Sequence, residues 1–203
     1  MKLHCVLVTL ATLVFVFSNA YCEESSKGEK DYSHFRGTRF GMTVAQVKEI
    51  EESKPVEETK ETLVYKDKIM GLQVDVFYMF VNNQLFRGAY FITEKYRNEN
   101  NHIDNYKQLK KVLVKKYKKP VFDTENWRNP LYKNKRHKHG FAVSIGHLEY
   151  KSEWLKYIKG RKVWINTVLK GENYKITHFI VYTDVLLEKF YNEQQEQKEK
   201  SKL

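Results

Sequence analysis

The segment Leu72–Val81 (LQVDVFYMFV) is the strongest constraint on how this chain can fold. Leu72, Val74, Val76, Tyr78 and Phe80 recur at every second position, so an extended strand puts all five on one face. Asn82-Asn83 comes next, and asparagine tolerates the positive φ that a two-residue hairpin turn requires. Residues 85–92 (LFRGAYFI) then return antiparallel. A two-stranded hairpin is not stable alone, so its apolar face must be buried against further strands or helices. Phe77 and Met79 lie on the opposite face, which predicts that the second side is also at least partly covered. Aromatic side chains left exposed on one sheet face would mark a partner surface.

Upstream, Thr43 is placed to cap a helix over 44–52, with Gln46 closing a capping box and Met42 stapling onto Val47. Val44, Val47 and Ile50 give that helix one narrow buried stripe, and Pro55 lies beyond its end. Residues 62–66 read as a first strand before the hairpin. A second helix is expected over 102–118, capped by Asn100 or Asn101. Its Ile103, Tyr106, Leu109, Val112, Leu113 and Tyr117 trace one face, lysines fill the other, and Pro120 closes it. Residues 121–139 read as an irregular, aromatic and very basic segment.

Three alternating runs follow: Phe141, Val143 and Ile145, continuing to Leu148 and Tyr150 across a kink at Gly146; Val163 to Leu169; and Ile176 to Tyr182. Residues 170–173 form a short hairpin loop. Thr183 or Asp184 caps a terminal helix through Tyr191, and a frayed charged tail over 193–203 ends the chain. The expected class is α+β: antiparallel sheet or sheets with packed helices, in the order helix–three strands–helix–three strands. That order suggests one unit used twice, with halves over 33–96 and 100–192.

The amino terminus reads as an export signal. Lys2 precedes an apolar run from Cys5 to Phe17, and Ser18-Asn19-Ala20 offers small residues for cleavage. The run is shorter than the roughly 20 residues a bilayer span requires. Residues 21–32 (YCEESSKGEKDY) read as a polar tether. Cleavage leaves Cys22 as the only thiol, so no internal disulfide can staple the fold and its core must hold it together. Tyr21 stands where a lipoprotein signal has a small residue, so the mature chain is expected to be exported to the periplasm or beyond without lipid. The closing Ser201-Lys202-Leu203 matches a peroxisomal address, but an export signal acts first. The formal charge of +11 favours anionic partners and says nothing about fold.

Gly41-Met42-Thr43 followed by Val47 is similar to the helix start of the SmpA/BamE-like and β-lactamase-inhibitor-protein-like modules of exported bacterial proteins. The resemblance covers Phe35 to about Glu51. It implies helices laid on an antiparallel sheet and a non-catalytic, envelope-located binding or scaffolding module. It carries over no individual binding residue.

Candidate chemistry is sparse, and no catalytic residue, metal ligand or cofactor is assigned. Ala142-Val143-Ser144-Ile145-Gly146 is one residue from the hydrolase elbow Gly-x-Ser-x-Gly, with Glu172 and His178 in triad order. The elbow needs a strand, a sharp turn and a helix, whereas Ser144 sits inside a run read as strand. An envelope-polymer hydrolase is the reading these residues would serve. His137 and His139 could meet one metal, but zinc needs three or four ligands and the flanking cations repel it. Lys133, Lys135, Arg136 and Lys138 form a dense basic loop near Trp127, Tyr132 and Phe141, a pattern that suits an anionic polymer. Lys110, Lys111, Lys115, Lys116, Lys118 and Lys119 crowd the second helix. Nucleic acid is not an expected target of an exported protein. The leading expectation is an exported, non-catalytic binding or scaffolding module of the bacterial cell envelope.

Overall fold

A computed structural model describes residues 33–202. The export signal, the tether, Cys22 and Leu203 lie outside the described residues. Helix α1 spans Val44–Ile50 and strands β1 to β4 span Glu57–Glu58, Thr62–Ile69, Leu72–Val81 and Gln84–Ile92. Helix α2 (Asn100–Tyr117) leads to β5 (Phe122–Trp127), two short 3₁₀ turns and helix α3 (His139–Ser144). Strands β6 (Leu148–Ile158), β7 (Arg161–Glu172) and β8 (Lys175–Asp184) then run into helix α4 (Val185–Lys200).

All eight strands belong to one antiparallel sheet in the order β1-β2-β3-β4-β8-β7-β6-β5. Two four-stranded meanders therefore meet where β4 pairs with β8, Ala89 opposite Val181. This corrects the expected order of helix–three strands–helix–three strands, and with it the unit used twice. Two strands are additional, and both are edges. β1 is two exposed residues, and β5 has exposed or half-buried side chains throughout, so neither carries the apolar alternation by which strands are recognised. Backbone pairing to β2 and β6 makes them strands instead.

The run around Phe141 is also corrected, from strand to helix α3. Gly140, Ala142, Val143 and Ser144 are all buried, and a short run buried on every side has no periodicity to distinguish strand from helix. Gly146 ends the turn at φ +75, where its N–H donates to the Val143 carbonyl. Gly140 is required because a Cβ there would fall 2.2 Å from the Glu99 backbone at the start of α2. Helix α4 runs to Lys200 rather than stopping near Tyr191, capped by Asp184 through the Leu186 and Leu187 amides.

The helix start around Thr43 takes its expected form. Gln46 N–H donates to Thr43 Oγ1 at 3.3 Å, and Thr43 N–H donates to Gln46 Oε1 at 2.9 Å. The preceding turn inserts Phe35 among Tyr78, Tyr90 and Tyr182, with ring centroids 4.8–5.4 Å away. Gly88 on β4 has no side chain at the one place where Phe35 lies, since a Cβ would stand 2.2 Å from its ring. Beside it Arg36 makes a bidentate pair with buried Glu51 (2.8 and 3.0 Å) and a second ion pair with Asp67; the Tyr78 hydroxyl also donates to Glu51. One sheet face thus carries the main core: Val74, Val76, Tyr78 and Phe80 pack with Val47 of α1 and Leu109, Leu113 and Tyr117 of α2.

Candidate binding face

The opposite sheet face is where the structure leaves apolar surface uncovered. Strand alternation and register place side chains there in three rows across β3, β4, β8 and β7. The rows are Met79, Arg87, Thr183, Trp164; then Phe77, Ala89, Val181, Asn166; then Asp75, Phe91, Phe179, Val168. Helix α4 caps only one end, where Arg87 pairs with Glu188 and Tyr191 stacks on Phe86 at 4.8 Å. Beyond it Phe77, Met79, Phe91, Trp164, Phe179 and Val181 are half-buried and line a shallow groove of about 480 Å³. The predicted cover over Phe77 and Met79 is therefore partial.

The groove has an ordered aromatic spine. Phe77 and Phe91 meet edge-on at 5.0 Å, and Phe91 and Phe179 meet at 5.5 Å, so one phenyl from each of three adjacent strands forms a continuous ladder. Four strands about 4.8 Å apart and three rows about 6.8 Å apart make a central patch of roughly 400 Å². Within that footprint Ala89, Thr183 and Val168 are buried, and the half-exposed aromatic rings supply the apolar surface; contiguous exposed apolar patches are often functional. Around the patch the charges are paired: Lys66 with Asp75 (2.8 Å), Lys151 with Glu153, and Arg87 with Glu188. An apolar centre inside a polar rim of both signs is the anatomy of a protein interface. Asn166 is the polar exception in the middle row, and its Oδ1 has no hydrogen-bond partner among the described residues.

On the covered face a polar chain, running from exposed Asp123 to buried Ser152 and Tyr106, ties α2 to the sheet. Lys110 pairs with Asp123 (2.6 Å), Ser152 Oγ donates to Asp123 (2.8 Å), and Tyr106 shares a 2.7 Å hydrogen bond with Ser152. Burial pushes the Tyr106 phenol well above its ordinary pKa. Asp123 lies in the segment read as irregular, so its role could not be found without β5. His178 sits against the Tyr106 ring (5.7 Å), 2 % exposed, with neither ring nitrogen hydrogen-bonded among the described residues. Burial, with His102 a lesser cause, lowers its pKa to about 3.

Comparison with protein-family models, with curated proteins and with solved structures finds no match.

The residues singled out in the sequence are not brought together. Ser144 is buried at the end of α3 and its hydroxyl donates to the Phe141 carbonyl. With both nitrogens of His178 unpartnered, no Ser144–His178 hydrogen bond exists. Glu172 lies instead at the end of β7, beside a surface cleft. His139 bonds through Nε2 to the Lys133 carbonyl and packs edge-on against Trp127. Among the described residues no cluster of three or more His, Cys, Asp or Glu could hold a metal, and no helix is long and apolar enough to cross a membrane. Of the basic loop, Lys133 and Arg136 line a cleft shared with Asp104 and Glu125, while Lys135 and Lys138 lie over the Tyr132 and Phe141 rings. Lys110 of α2 is spent on Asp123. The alternation noted at Phe77 and Met79 was the one sequence signal that pointed to the open face.

Proposed function

We propose that this chain is an exported, non-catalytic binding module of the bacterial cell envelope that docks a protein partner on its open sheet face. The observation that carries the reading is the half-exposed Phe77–Phe91–Phe179 ladder inside a rim of paired charges. The partner is a protein surface with a cluster of apolar side chains flanked by charges of both signs. An anionic lipid surface fits less well, because the rim cations Lys66, Lys151 and Arg87 are each paired with a carboxylate and leave no surplus positive charge beside the groove. A second copy fits less well, because two chains with so strong a surplus of lysine and arginine repel. The resemblance of Gly41-Met42-Thr43…Val47 to envelope scaffolding modules favours the same class.

The test compares wild type with the double variant Phe91→Glu/Phe179→Glu. A protein captured from envelope extract is purified and titrated calorimetrically against both forms. The reading requires one-to-one binding by wild type, weakened at least about tenfold in the variant, as expected for charges placed in an apolar interface core. Equal affinity for both forms refutes it. Sedimentation showing a wild-type dimer that the variant abolishes would replace the partner with a second copy.

A further inference from the structure

The turn over 35–41 sends its two arginines to different surroundings. Arg36 is neutralised by Glu51 and Asp67, whereas Arg39 is exposed and makes no ion pair among the described residues. Arg39 lines a recess of about 470 Å³ with His34, Phe40, Lys159 and Arg161. Its floor is built: His34 and Phe40 are 5 % and 4 % exposed, and their rings stack at 5.1 Å, only 6° from parallel. Phe40 N–H donates to His34 Nδ1 at 2.9 Å, so the ring proton is on Nε2, which donates to the Ile158 carbonyl at 3.0 Å. Both nitrogens are used in the neutral form, so the floor adds no charge.

The walls are cationic. Arg161 is held by Asp184 at 3.0 Å, and its Nη2 lies where a Cβ on Gly41 would come to 3.0 Å. Gly41 is favoured by its φ of +91, and the guanidinium of Arg161 lies directly against it. Asp184 cannot neutralise the recess further. Its side chain is 1 % exposed, Oδ1 accepts from the Leu186 and Leu187 amides, and Oδ2 accepts from Arg161. Arg39, Lys159 and Arg161 thus line one opening, and Asp184 is committed to Arg161 and the α4 amides.

We propose that this recess binds a phosphate-type oxyanion, with Arg39 and Arg161 as its guanidinium contacts and Lys159 adding charge at the mouth. A guanidinium fork matches phosphate oxygens in two-point geometry, and fixing Arg161 in advance reduces the ordering cost of binding. The recess is larger than one phosphate group, so it suits a phosphomonoester, either a soluble one or a lipid headgroup.

The test is a titration of the full chain with inorganic phosphate, followed by amide NMR at constant ionic strength and compared with chloride. Saturable shifts are expected at Phe40, Gly41, Gly160 and Arg161. They should weaken about tenfold in Arg39→Ala/Lys159→Ala, two exposed positions whose loss leaves the core intact. A parallel arm measures co-sedimentation with phosphatidylcholine vesicles with and without phosphatidic acid. Binding that needs phosphatidic acid and is lost in the variant assigns the headgroup. Phosphate binding without vesicle binding assigns a soluble ester. Shifts that do not saturate, that persist in the variant, or that fall on the 133–138 loop instead overturn the proposal.

Discussion

Acid should loosen this fold through His178. Folding buries the ring against Tyr106 without a hydrogen-bond partner among the described residues, and its pKa falls from 6.5 to about 3. A histidine held below its ordinary pKa stays neutral in the folded chain, so the unfolded chain takes up the proton first. The favourable contribution is therefore complete above pH 6.5 and is lost as pH falls toward 3. Each pH unit inside that window costs about 1.4 kcal/mol, so moving from pH 7 to pH 5 should remove about 2 kcal/mol. That figure depends on the unfolded pKa alone, provided the folded one lies well below 5. His34 and His102 are shifted in the same direction, also mainly by burial, so the measurement must be a difference.

The perturbation is His178→Leu, which keeps much of the volume and removes both unpartnered nitrogens. Urea melts of wild type and variant at pH 7 and pH 5 give the four stabilities required. The variant should gain on wild type by about 2 kcal/mol between the two pH values, at unchanged slope. In wild type the His178 ring proton resonances should not titrate down to pH 5. Equal acid losses in both chains, or a ring titrating near pH 6, would refute the argument that burial holds His178 neutral.

Two further outcomes test the packing around the 35–41 turn. Gly88→Ala should cost about 1–3 kcal/mol in urea melts, because its Cβ would occupy the Phe35 ring position. Pairing it with Phe35→Ala should leave the double variant no less stable than Phe35→Ala alone, and additive losses would disprove the clash. Thr43→Ala should cost about 0.5–2 kcal/mol by removing the helix cap, whereas exposed Glu52→Ala should stay within about 0.5 kcal/mol. Equal midpoints for Thr43→Ala and wild type would show that the cap contributes nothing.

The open face was half legible. Phe77 and Met79 could be placed opposite the core by alternation within one strand. Phe91 joins them across the β3–β4 hairpin, whereas Phe179 and Trp164 join them only because β4 pairs with β8, and β8 with β7, in one register. The basic recess was not legible at all. Its cations come from positions 39, 159 and 161, brought together by a hairpin and a turn more than a hundred residues apart in sequence. The run around Ser144 was misread as strand because a stretch of five residues carries no record of whether its backbone is strand or helix.

What the sequence determined by itself was local. The Thr43–Gln46 capping box, the Asn82-Asn83 turn with both φ values positive, and the one-sided alternation of β3 each follow from side chains within a few residues of one another. Tertiary structure decided the rest. Whether β1 and β5 are strands depends on a neighbour's unpaired amides and carbonyls, not on their own side chains. Whether 139–144 is helix depends on Gly140 fitting against α2. How many strands share one sheet was settled by β4 meeting β8, a contact between segments nearly a hundred residues apart. The physical division is between energies set by nearest neighbours along the chain and energies that exist only once distant surfaces have displaced water from each other.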